Sequence, residues 1–207
     1  MSATSSPMTA LSVALIVAGS LLLVVATVLA TVVRRDAGRS FFWLFVAATA
    51  YPLLGLAAAS HSTEAAGVQA AVVQLLAVLL AAAVGVLCSA GGRGETGGQC
   101  TLPKLAYGLA WLTLIGIAPT AGFHGKILIY RSLLAAGWEW LAVLAMAGSA
   151  ASLLPALRGL SAPPSRSLRG SRAVLVVGLI AAIVFLGVYP QAGLAVAAWA
   201  AEPAAAA

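Results

Sequence analysis

One lysine and one histidine stand in an apolar setting that gives them little company, within the run Gly116-Ile117-Ala118-Pro119-Thr120-Ala121-Gly122-Phe123-His124-Gly125-Lys126. An ammonium and an imidazole are the two cationic side chains that can pass a proton on, and Lys126 and His124 are the candidates for a proton relay. The residues around them explain why a charge could persist there. Pro119 removes a backbone donor, and Gly116, Gly122 and Gly125 let the chain unwind. Carbonyls freed by such a break inside a membrane need new partners from protein or water. A lysine one turn past the break is therefore a functional candidate. His124, two residues earlier, points roughly 200° away from Lys126 around a helix. Its alternatives are packing or contact with a neighbouring chain. Arg131 lies beyond Lys126 toward the helix end, where it snorkels to the interface or meets a partner's acid.

The elements that must hold these residues are membrane spans. The chain has 207 residues, 62% hydrophobic and 8% charged, with a mean hydropathy of +1.07, against about 25% charged residues in a soluble domain. Its net charge of +6 is spread over short loops, which marks membrane topology rather than a nucleic-acid surface. Cys88 and Cys100 form neither a metal-ligand pattern nor a disulfide framework. An N-terminal tail at 1–8 precedes a first span over Thr9–Val33, too long for the apolar core of a signal peptide and lacking a basic leader. Further spans cover Ser40–Ala59, Ala65–Ala90, Lys104–Leu134, Trp138–Leu160 and Ala173–Trp199. The fourth would measure roughly 46 Å if straight, which exceeds the roughly 30 Å hydrocarbon core. A break at Gly116–Gly122 resolves the excess as two half-helices in one crossing. The sixth span is interrupted near Tyr189-Pro190, and the alanine-rich tail frays.

Charge tests the parse. With six crossings, the loops after spans one, three and five share one side and carry Arg34, Arg35, Arg39, Arg93, Arg158, Arg166, Arg169 and Arg172. The other side carries Glu64, Glu139 and Glu202. That asymmetry places both termini outside the cytoplasm, and counting the break as a reversal would spoil it.

The run Gly116–Lys126 resembles the antiporter-like proton-pumping subunits of respiratory complex I, the subunit N type, whose members carry a run like Ala-Gly-Ile-Pro-Pro-Thr-Ala-Gly-Phe-x-Gly-Lys. The resemblance continues through Trp140-Leu141-Ala142, Ser149, Ser152-Leu153, Leu157-Arg158 and Gly187-Val188-Tyr189-Pro190, and more weakly from Arg34 to Tyr51. It implies an all-α polytopic membrane protein with about six transmembrane helices, the fourth broken. The expected divisions are one antiporter-like five-helix repeat at 9–160 with its broken helix at 104–134, a basic loop at 161–172, and a closing helix and tail at 173–207. The family has two inverted repeats of this kind, and the chain matches the second.

The same resemblance implies a membrane subunit of a complex I-like NADH:quinone oxidoreductase in a bacterial inner membrane, contributing a proton half-channel with Lys126 as relay, or a structural part of the pumping arm. A cation/proton antiporter or a membrane-bound hydrogenase complex shares the repeat. A purely structural membrane subunit, or one half of a split subunit, are further alternatives. The isolated chain is expected to catalyse nothing. It is expected to hold no cofactor or metal, leaving NADH, flavin, iron–sulfur clusters and quinone to other subunits. Several positions depart from the family pattern: Ala48 stands at a histidine position, Pro155 where tyrosine is preferred, and only Gln69 and Gln74 are polar in the third span. Asp36, Glu64, Glu95, Glu139 and Glu202 all fall in loops or at interfaces, so Lys126 has no intramembrane acid in its own chain. Solvent must reach it or a partner subunit must bring a carboxylate. Arg131 and Glu139 are the expected partner contacts.

Overall fold

A computed structural model describes residues 10–33, 36–61, 66–89, 101–161 and 170–205, with side chains described to residue 198. The helices are α1 (Ala10–Val32), α2 (Ala37–His61), α3 (Ala66–Ser89), α4 (Thr101–Ile115), α5 (Ala121–Ala135), α6 (Glu139–Ala151), α7 (Leu153–Ser161), α8 (Ser171–Val188) and α9 (Pro190–Ala205). No strand occurs among the described residues. Arg34, Arg35, Glu64, Arg93, Glu95, Cys100, Arg166 and Arg169 lie outside the described residues, as do the side chains of Trp199 and Glu202.

Five segments are long and apolar enough to cross a bilayer: α1, α2, α3, the α6–α7 pair over Glu139–Ser161, and α8. The all-α polytopic reading therefore stands. At 15 residues each, α4 and α5 are too short to cross alone at about 22 Å apiece. Their neighbours show that together they cross once. The late residues of α3, Val78 to Cys88, share a core cluster with Tyr107, Trp111 and Leu114 of α4. The early ones meet α5 instead: Gly67 and Gln69 line a cleft with Ser132 and Ala135. A reversal at the break would have returned α5 along α4.

Proline and glycine punctuate the other spans. Pro52 lies inside α2 without ending it. The fifth span is interrupted at Ser152, three residues before Pro155, whose missing donor weakens the ladder there. The sequence reading did not anticipate this interruption. The sixth span breaks at Tyr189 as expected, with α9 starting on Pro190.

The apolar interior forms two clusters along the bundle. One gathers Phe41 and Leu44 of α2 with the end of α3, most of α4's buried face, Val176 and Ile183. Its centre is an aromatic group in which the Phe41 ring lies 5.4 Å from Tyr107 and 5.3 Å from Trp111. The other joins Ile16 and Leu23 of α1 to Tyr51 and Leu54 of α2, Ile129 and Leu133 of α5, and Leu141 and Ala145 of α6. The α4–α5 break falls at the seam between them. At the end carrying Arg39, Arg158 ties α7 to α1 by donating to the Thr31 carbonyl at 2.9 Å. Asp36 accepts from the amides of Gly38 and Arg39 at 2.9 and 3.1 Å, capping α2.

Glycine at Gly187 allows α8 to seat on the break. A Cβ there would fall 1.8 Å from the Pro119 carbonyl oxygen, an atom that cannot swing aside. Gly187→Ala should therefore displace α8 and cost about 1–3 kcal/mol. Thermal unfolding of the detergent-solubilised protein should show a lower midpoint than for Gly178→Ala, where open space surrounds the new methyl.

Candidate functional site

The site begins with backbone that has left the helix. The last α4 bonds crowd onto one acceptor, with the amides of Gly116 and Ile117 both donating to the Leu112 carbonyl at 2.9 and 3.0 Å. Gly116 then turns to φ +82°, a region that L side chains rarely adopt, and the Ala118–Pro119 peptide is cis. Thr120 donates its hydroxyl to the Ile117 carbonyl at 2.8 Å, and α5 starts at Ala121. Gly122 lets the new helix pass close to the old one, since a Cβ there would meet the Thr113 carbonyl oxygen at 2.0 Å.

The break leaves the Ile115 carbonyl without a helical donor, and Lys126 takes that place. Its Nζ donates to Ile115 O and, at 2.8 Å, to the Ser149 hydroxyl of α6. Ser149 Oγ itself lies 3.1 Å from Ile115 O, so lysine, hydroxyl and carbonyl form a closed triangle. The Tyr51 ring of α2 lies beneath, with Nζ 4.4 Å from its centroid, a cation–π arrangement worth about 2 kcal/mol when desolvated. Tyr51 is held in turn by donating its hydroxyl to the Ala145 carbonyl at 2.9 Å. Lys126 is only 3% exposed. These partners are neutral; no carboxylate of the described residues is among them. Asp36 and Glu139 are both exposed, near helix ends.

The triangle is not sealed. A cleft of about 250 Å³ opens onto it, lined by Gly116, Phe123, Lys126, Ile127, Tyr130, Met146 and Ser149. That volume exceeds several times the roughly 30 Å³ share of one water. Its rim includes Ile127 and Met146, both exposed apolar residues.

The structure places Gly116 and Pro119 in the break, Gly122 in the first turn of α5 against Thr113, and Gly125 within α5 against Gln74 of α3. His124 is half-buried, and its Nδ1 is enclosed with no hydrogen-bond partner. It is not among the partners of Lys126; its ring meets Phe123 edge-on at 5.6 Å. Arg131 is exposed in a second cleft with Gln69 and Ser132. Glu139 lies in the first turn of α6, beside the buried Trp138. The sequence reading named Tyr51 and Ser149 only as parts of a pattern, without a role at Lys126. A tyrosine and a serine in otherwise apolar spans were the available signal.

Known proteins resemble this arrangement. NADH-quinone oxidoreductase subunit N 2 of Solidesulfovibrio magneticus is 35% identical over 136 residues, covering 60% of this chain and 28% of its own. NADH-quinone oxidoreductase subunit N 1 of Sorangium cellulosum is 31% identical over 189 residues, covering 79% of this chain and 37% of its own. A chain of respiratory complex I from Thermus thermophilus, solved with bound aureothin, superposes with a TM-score of 0.67 at 27% identity, covering 87% of this chain and 44% of that one. No family model matches. The chain spans roughly a third of the length of these curated relatives. The resemblance read from Gly116–Lys126 is thus borne out over part of the chain, and the chain has the fold of part of a complex I antiporter-like subunit.

Gly116 and Lys126 are sterically coupled, because a Cβ at Gly116 would lie 2.8 Å from the lysine Cδ. Gly116→Ala should destabilise by roughly 1–2 kcal/mol from the left-handed backbone alone, with a further clash against Lys126. A double-mutant cycle with Lys126→Ala should recover the clash component and leave the backbone component, giving non-additive shifts in the unfolding midpoint.

Proposed function

We propose that this chain is a membrane subunit of a proton-translocating assembly of the NADH-quinone oxidoreductase type, in which Lys126 takes up and releases a proton within a half-channel. The carrying observation is the buried ammonium at the helix break, held by an unwound carbonyl and a serine and facing a cleft. A cation with only neutral partners among the described residues can be reset by water or by an acid brought from outside. The cleft bounded by Phe123, Ile127, Tyr130 and Met146 is where a neighbouring subunit would present that carboxylate. Electrons would travel elsewhere, through NADH, flavin, iron–sulfur and quinone sites in other subunits. The membrane would be a bacterial inner membrane, with both chain termini on the non-cytoplasmic side and the arginine-rich loops within. An antiporter or hydrogenase complex built on the same repeat would use Lys126 in the same way.

One observation favours a second reading. Lys126 already satisfies the Ile115 carbonyl and Ser149, so it could serve as a pin that stabilises the break without moving protons. Two substitutions separate the readings in proteoliposomes of the whole assembly. Arginine keeps a cation and its donors but does not give up its proton; Lys126→Arg preserves the pin and disables the relay. Lys126→Met removes both. The relay predicts loss of proton pumping in both variants, with Lys126→Arg assembled as in the wild type. Pumping retained at wild-type stoichiometry by Lys126→Arg would leave only the pin.

A further inference from the structure

An open groove of about 220 Å³ runs between α1 and α6, walled by Val24, Thr27 and Val28 on one side and Ala147, Gly148 and Ala151 on the other. Small residues of α6 make the concavity. Ala147 and Ala151 lie four apart on one helix face, and a Cβ on Gly148 would lie 3.0 Å from the Leu23 side chain that closes the floor. One wall residue is polar. Thr27 is 6% exposed, and its hydroxyl is enclosed without a hydrogen-bond partner. A helical threonine usually returns its hydroxyl to a carbonyl of its own helix, as Thr31 does one turn on by donating to the Val28 carbonyl at 2.7 Å. Thr27 does not, and an unmade hydrogen bond is costly where water does not reach. Rotation about χ1 can turn that hydroxyl toward the groove.

The groove points at a cation. Thr31 lies one turn beyond Thr27 on the same face of α1, about 6 Å along the axis, and Arg158 lies seven residues beyond Ala151 in the fifth span. The two meet where Arg158 donates one guanidinium N–H to the Thr31 carbonyl at 2.9 Å. The guanidinium has further donors in a fork that matches phosphate oxygens, and no carboxylate among the described residues forms an ion pair with it. Asp36, the described carboxylate at this end, accepts from the Gly38 and Arg39 amides instead. Arg34 and Arg35 follow Thr31 within four residues in the sequence, and Arg39 is exposed. An apolar slot, a hydroxyl partway along it and a cation at its mouth match, in order, the acyl chain, ester carbonyl and phosphate of a phospholipid. Basic pockets between membrane helices commonly hold anionic head groups. The volume exceeds the roughly 150 Å³ that admits a benzene ring, so a chain of methylenes enters. A helix, about 10 Å across with its side chains, would bridge such a groove rather than fill it.

We propose that the α1–α6 groove seats one acyl chain of an anionic phospholipid, with its phosphate on Arg158 and an ester carbonyl accepting from Thr27. The lipid belongs to the leaflet on the side of the arginine-rich loops. Its seat backs the helix break from outside. Gly148 lines the groove, while the next residue, Ser149, accepts from Lys126 Nζ at 2.8 Å. A filled groove therefore holds in place the helix that presents the lysine's hydroxyl partner. The seat stands whether or not Lys126 relays protons.

Photo-crosslinking in the purified native assembly reads the seat directly. Phosphatidylglycerol with a diazirine in one acyl chain, supplied at low fraction in phosphatidylcholine nanodiscs, should attach to the peptides holding residues 24–28 and 147–151. Phosphatidylcholine with the same diazirine chain should label them about fivefold less, the share of one charge-assisted hydrogen bond. Ala151→Leu fills the groove from an exposed position and should lower labelling by about tenfold. Arg158→Gln should bring phosphatidylglycerol down to the phosphatidylcholine level, and Thr27→Val, which keeps the shape and removes the hydroxyl, should lower labelling by about threefold. Equal labelling by the two lipids in the wild type would overturn the head-group assignment. Labelling undiminished in Ala151→Leu would reduce the seat to general contact of an exposed surface with lipid, and absence of labelling would mean that another polypeptide covers the groove; either result overturns the proposal. Arg158 also ties α7 to α1, so Arg158→Lys stands in if Arg158→Gln does not assemble. It keeps the charge without the fork and should label between the wild type and the phosphatidylcholine level, whereas wild-type labelling would remove the guanidinium's role.

Discussion

A carbonyl released by an unwound helix and an ammonium that has nowhere else to go satisfy each other, and this pair organises the protein. Ile115 O would be an orphan acceptor at the middle of a membrane crossing, a cost of several kcal/mol. Lys126 would be an unpaired buried charge, which costs more. Bonding one to the other offsets both penalties, and Ser149 and Tyr51 complete the enclosure. The nearby glycines follow from that pairing. Gly116 supplies the turn that separates the half-helices, and Gly122 and Gly187 let α4 and α8 close on the irregular backbone. Larger side chains at these points would force the break open.

The two apolar clusters serve as clamps on either side of this polar seam. Each is packed from several helices, with leucine, alanine and aromatic side chains fully enclosed. Dense packing of this kind resists continuous deformation. Gln74 and His124 are among the buried groups with unused hydrogen-bonding capacity. Motion in this bundle is therefore expected to concentrate at the interruptions. Two of these lie against each other, because Gly187, just before the α8–α9 break, touches Pro119 in the α4–α5 break. A displacement of the closing helix would thus be felt at the lysine's backbone. That physical link runs through close backbone contact and requires no long chain of side chains.

Much of this fold can be read from composition and punctuation. Apolar runs of 23 to 25 residues leave only helix as a way to satisfy the backbone in lipid. A longer fourth run with a proline and three glycines at its centre cannot be one straight rod, and the Tyr189-Pro190 interruption is legible for the same reason. The Ser152 interruption escaped sequence reading, because one proline near a helix end is compatible with several outcomes: Pro52 lies within α2 and leaves it continuous. The partners of Lys126 also escaped it. Tyr51, Ile115 and Ser149 lie 75, 11 and 23 positions from the lysine, and one of them contributes only a backbone atom.

By itself, then, the sequence determined that the chain crosses a membrane as helices, where its fourth helix must fail, and that a cation stands one turn past the failure. These are local consequences of apolar length, proline's missing donor and glycine's freedom, and they need no knowledge of neighbours. The tertiary structure alone decided what the cation touches, that Gln74 of α3 lies against α5 at Gly125, and where clefts reach the seam. Such facts depend on the rotation and spacing of each helix about its neighbours. In a membrane those settings arise from the fit of small residues and from scarce hydrogen bonds, and an all-round apolar helix carries too little contrast in its sequence to announce them.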